Sequence, residues 1–175
     1  MTEPAAPTST AVWLGETADD SIAVSIYVLV RDGARRRPAV AAAIRGCIRI
    51  RVVDGYPAVR VDFRGDGIEV ADEVDDDDRR RCDLELSGRL GDIAALIVAP
   101  LAAGLPNPAT RTGRRAIVRL ADGRVEVDGS PALARDLLRL LAVDPGRAPS
   151  RGQTVQPGTS SRPRRSRAAA TRVTR

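Results

Sequence analysis

Residues 83–143 read DLELSGRLGDIAALIVAPLAAGLPNPATRTGRRAIVRLADGRVEVDGSPALARDLLRLLAV, and the fold turns on how they are read. The stretch opens on a strand, with Leu84 and Leu86 on one face and Asp83 and Glu85 on the other. GDIAALIVAPLAAG predicts a helix that is apolar on nearly all sides. Ile93, Leu96, Ile97 and Leu101 form one stripe, and Ala94, Ala95, Val98 and Ala99 cover much of the rest. Asp92 sits near the start, where a carboxylate favours the helix dipole. Pro100 removes a backbone donor, so the helix kinks or ends there. AIVRLADGRVEVDG predicts a hairpin, with Ile117–Ala121 and Arg124–Asp128 joined at Asp122-Gly123. Ser130-Pro131 then caps a last helix that buries Leu133, Leu137, Leu138, Leu140 and Leu141, with Arg135, Asp136 and Arg139 facing water.

Upstream, Asp19–Asp32 reads as a helix, with strand as the alternative for its β-branched run. Asp19 or Asp20 would cap the helix and Gly33 would end it. Pro38–Ile44 is a short Ala-rich helix with proline in its first position. Three strands follow. Cys47–Val53 points Ile48, Ile50 and Val52 one way and Arg49 and Arg51 the other. Ala58–Arg64 alternates likewise, with Val59, Val61 and Phe63 inward, and Ile68–Ala71 is the third. Strands with one wet face indicate an antiparallel sheet, and their Arg and Asp/Glu would pair across it. The expected fold class is α+β: a mostly antiparallel five- or six-stranded sheet with helices packed on one face.

Composition removes most chemistries. The chain has no His and no Lys. That excludes Ser-His-Asp and Cys-His nucleophile pairs, His-bound zinc, the Walker lysine and Schiff bases. Asp62, Asp66, Glu69 and Asp83 are the carboxylates left for acid–base work, but alternation puts Asp62 and Asp83 on wet faces. The run EVDDDD lacks EF-hand spacing and reads as a solvated loop from Asp72 to Arg81. No metal, cofactor or enzyme activity is expected. Two cysteines, Cys47 and Cys82, without a signal-peptide pattern read as thiols of a reducing, cytoplasmic compartment.

Charge is uneven: residues 144–175 hold eight arginines and one acid within a chain of net +5. The expected organisation is a disordered N-terminal segment 1–18, with packing of Val12–Leu14 on the fold as the alternative, a folded domain 19–143 and a disordered Arg-rich tail 144–175. Trp13 in the first segment reads as a loose side chain or a surface plug.

From about Ala41 to Val143 the chain resembles the sterol carrier protein 2 family. The likeness is carried by VVDGYPAVRVDF, by CDLELSG leading into the aliphatic helix, by LAAGLPNPATRTG, and by RVEVDG before a leucine-rich helix. Two departures stand out: NPATRTG lacks the family's Phe, and AIVRLADGRVEVDG has room for a hairpin where the family passes into one strand. The resemblance implies an apolar tunnel between sheet and helices that holds a fatty acyl chain or sterol-like lipid without catalysis. The strand residues facing such a tunnel are Ile50, Val52, Val59, Val61, Phe63, Leu84 and Leu86. The helices would add Ile93, Leu96, Ile97, Leu101, Leu137 and Leu141; by charge alone Arg111 or Arg114 could meet a head group, with a solvated surface position as the competing reading. The same residues would equally serve as a filled core. The alternatives are therefore a regulatory or interaction module, or binding of an anionic membrane surface or nucleic acid through the Arg-rich tail.

Overall fold

The computed structural model describes residues 10–73 and 82–142. Four strands build most of one sheet: β1 (Ala11–Leu14), β2 (Gly46–Val52), β3 (Val59–Phe63) and β4 (Gly67–Asp72). Between β1 and β2 come helices α1 (Ala23–Arg36) and α2 (Pro38–Ala43). After β5 (Leu84–Gly88) follow α3 (Leu90–Ile97), a ribbon of β6 (Leu101–Ala102) and β7 (Leu105–Pro106), α4 (Arg111–Ala121), β8 (Val125–Gly129) and α5 (Pro131–Leu141). The six-stranded sheet runs β1-β4-β3-β2-β5-β8. The pairs β1–β4 and β2–β5 are parallel and the other three antiparallel, so the expected α+β class holds.

Alternation sets the core. Ile48 lies opposite Val61 and Leu84, and Ile50 opposite Val59 and Leu86, all buried on one face. On the other face the register sets Arg49 against Arg60, and carboxylates draw the two like charges apart. Arg49 pairs with Glu73 and, at 3.4 Å, with its register partner Glu85; Arg60 pairs with Asp62 at 2.9 Å. The hydrogen bond that Arg49 donates to Glu73 is the chief cause that raises the guanidinium above its ordinary pKa.

Several expectations are corrected. Residues 11–14 are not disordered: they form β1, and the Trp13 ring covers Gly67 across the sheet edge. Neither Asp19 nor Asp20 caps α1. The N-cap position is Ile22, without a side-chain cap; just before it Ser21 Oγ accepts from Ala23 N at 2.8 Å, while the hydroxyl donates to Asp72. Asp72 is therefore a buried end of β4 and not part of a solvated loop; it also accepts from Ala18 N at 2.7 Å. Gly33 does not stop α1, which runs on to Arg36.

The long apolar helix is short. α3 ends at Ile97, and Pro100 and the turn at Ala103-Gly104 (φ 52° and 82°) send the chain into the β6–β7 ribbon. The predicted hairpin is half helix. Thr110 caps α4, its Oγ1 accepting from Gly113 N at 3.0 Å, and only β8 remains as a strand, antiparallel to β5. Ser130 caps α5 as expected, accepting from Leu133 N at 3.3 Å.

The cysteines are not free thiols. Cys47 opens β2 and Cys82 precedes β5, its parallel neighbour, so the two Cα atoms lie 4.7 Å apart and the pair is a disulfide. The rest of the acidic run with its arginines (74–81) and the tail (from 143) lie outside the described residues. Among the described residues no helix is long and apolar enough to cross a membrane.

Candidate functional site

Helices α3, α4 and α5 and the β7 strand do not fully close on the sheet. Between them and the β5–β8 edge lies a chamber of about 330 Å³. Its floor is Leu84 and Leu86 with Val127, the register partner of Leu86. Leu96 from α3, Leu120 from α4 and Leu137 from α5 wall it. Arg135 is the one charged side chain in its lining. A second chamber of about 180 Å³ lies between α1 and α3, over β2, with Ile50 and Val52 as floor. Ile26 and Leu29 form one wall, Ile93 and Ile97 the other.

The aliphatic composition explains both voids. Phe63 is the only phenylalanine in the chain, and it is buried on β3 away from either chamber. The chambers share a floor: Ile50 in the second and Leu86 in the first are register partners on adjacent strands. α3 stands over the line between them, giving Leu96 to one side and Ile93 and Ile97 to the other.

Of the expected site residues, Leu84, Leu86, Leu96 and Leu137 meet in the larger chamber, and Ile50, Val52, Ile93 and Ile97 in the smaller. Val59, Val61, Phe63 and Leu141 are buried and line neither, and Leu101 is half-buried in the ribbon. Arg111 and Arg114 are exposed on α4 and line neither chamber. Sequence reading missed Leu105, Leu120 and Val127, which it placed in a loop or a hairpin; Arg135 faces water as expected and also stands in the chamber lining. Only the helical spacing of Gly113, Ala116 and Leu120 carried a signal for the α4 wall.

A more open groove of about 540 Å³ lies at the N-terminal end of α3. It sets Arg89 and Arg124 beside Asp92 and Glu126, and Arg119 already holds Asp92 at 2.6 Å. Of the candidate carboxylates, Asp62 and Glu69 are register partners that share Arg64, and Asp83 is held elsewhere. Asp62 and Glu69 are bound by Arg64 at 3.2 and 2.6 Å, and Asp83 accepts from Cys47 N at 2.8 Å. Among the described residues no cluster of three His, Cys, Asp or Glu is placed to hold a metal ion.

The architecture defines a class: a one-sided α+β sheet domain with aliphatic chambers under its helices. No protein-family model matches the chain, and no curated protein does. Among solved structures it is similar to "UbiJ-SCP2 Ubiquinone synthesis protein", at 17% identity and TM-score 0.49 over 69% of this chain and 92% of that one. It is also similar to sterol carrier protein domain 2 of Helicoverpa armigera, at 17% identity and TM-score 0.47 over 73% and 92% of the two chains. A third is apo sterol carrier protein 2 from Yarrowia lipolytica, at 15% identity and TM-score 0.44 over 71% and 92%.

Proposed function

We propose that this domain binds the apolar chain of a lipid beneath α3, without catalysing a reaction on it. The observation that supports the reading is the larger chamber itself, aliphatic apart from Arg135. Its volume lies at the lower end of the range for small-molecule sites, about 300–1,000 Å³.

Magnitudes define the ligand. A methylene occupies about as much space as a water, so the larger chamber takes on the order of ten carbons and the smaller about six. Ten buried methylenes release roughly 8 kcal/mol gross. Micromolar affinity requires about that much net, after ordering costs. A chain confined to one chamber is therefore weakly held. A chain of about 14–16 carbons releases roughly 11–13 kcal/mol gross, and it needs both chambers. The continuous floor at Ile50 and Leu86 provides the path, and α3 must lift to admit it. An anionic head group would meet Arg135.

The test is a titration of the purified protein with a fluorescent long-chain fatty acid. Saturable binding in the micromolar range is expected. Ala134→Phe on α5, which fills the larger chamber, should weaken it at least about tenfold while the protein still melts cooperatively. No saturable binding by the wild type, or equal binding by Ala134→Phe, contradicts the reading.

A further inference from the structure

α4 turns different chemistry inward and outward. Gly113 and Ala116 are buried, and Leu120 lines the larger chamber. By helical spacing Arg111, Arg114, Arg115 and Val118 fall on the opposite side, within about 100° of arc. Val118 is 54% exposed, Ile117 beside it 38%, and Leu105 on the adjoining β7 strand 50%. The helix has four arginines and no acid; Asp122 at its C-cap is the nearest in sequence. Arg119 is taken by Asp92, and Arg114 turns to the carbonyls of Pro108 and Ala109 at 3.1 and 3.3 Å. Arg111 and Arg115 have no ion-pair partner among the described residues.

Unpaired cations set around protruding aliphatic side chains match an anionic bilayer surface, where head groups meet the arginines and the acyl boundary meets Val118. Nucleic acid would satisfy the arginines alone. It would press Val118 and Ile117 against phosphates, and the patch carries no aromatic ring on which a base could stack. We propose that the outer face of α4, with Leu105, docks the protein on anionic lipid membranes. This stands on the exposed surface and does not require the chambers to be filled.

The full-length chain is sedimented with phosphatidylcholine vesicles with and without phosphatidylserine. Binding is expected only to the phosphatidylserine vesicles. R111Q/R115Q should lower the affinity about thirtyfold. Val118→Asn should lower it at unchanged charge, which a purely electrostatic contact through the Arg-rich tail would not do. R35Q/R36Q, the same charge change in the last turn of α1, should stay within about twofold. The proposal is overturned if R111Q/R115Q or Val118→Asn binds like wild type, or if R35Q/R36Q loses as much. It is also overturned if duplex DNA is held as tightly as the vesicles and lost with the same arginines. The fatty-acid titration above uses no vesicles, so the two readings fail separately.

Discussion

One missing methyl group lets two helices touch. At Gly33 a Cβ would lie 2.5 Å from the carbonyl oxygen of Leu140, so α1 and α5 approach to backbone contact. Glycine to alanine inside a helix ordinarily stabilises by roughly 1 kcal/mol. Here the new atom meets a carbonyl fixed in α5, and the sign reverses. Gly33→Ala should destabilise the fold by about 1–3 kcal/mol, read as a lower urea midpoint at unchanged slope. An unchanged or higher midpoint would show that the helices can move apart at no cost. Single residues of this kind are hard to read ahead of a structure. Gly33 follows Asp32 where a helix end would suit it, and only the close partner, 107 positions away at Leu140, reveals its use. Asp72 is similar: its neighbours are acidic, so it reads as loop, yet it binds Ala18 and Ser21 at the end of β4.

At the scale of elements, β2, β3 and β5 were legible because each alternates cleanly over a one-sided core. Pro38 and Ser130-Pro131 marked their helix starts for stereochemical reasons that context seldom overrides. α4 was not legible as a helix, because AIVRLA reads as a strand when Asp122-Gly123 follows it. Thr110 as a cap, six residues upstream of Ala116, was the competing cue. The parallel pairing of β2 with β5 was also hidden, since alternation gives a strand's two faces but not its direction relative to a neighbour. That pairing brings Cys47 and Cys82 together, and their bond closes a loop spanning 35 positions. Loop-closure entropy for that span is about 3–4 kcal/mol. Adding reductant should therefore lower the stability of the domain by about that amount and lower its melting temperature. Identical melts with and without reductant would mean that the two strands are held by the sheet alone.

For the molecule as a whole, the sequence carried the composition of the site but not its partition. Eight of the thirteen expected residues line a chamber, because inward alternation and the α3 stripe both point beneath the helices. That the space is divided by α3, and that β7 and α4 wall one half, follows from where Pro100 turns the chain. The whole fold thus has one buried core, which runs under β2, β3 and β4, with two apolar chambers beside α3. The measurement that tests this most directly is binding free energy against acyl chain length, by calorimetry with saturated fatty acids of increasing length. Two chambers over one floor predict affinity that rises with each methylene past about ten carbons and levels off near about sixteen. No heat of saturable binding at any length would contradict the account and leave the chambers as mere packing voids.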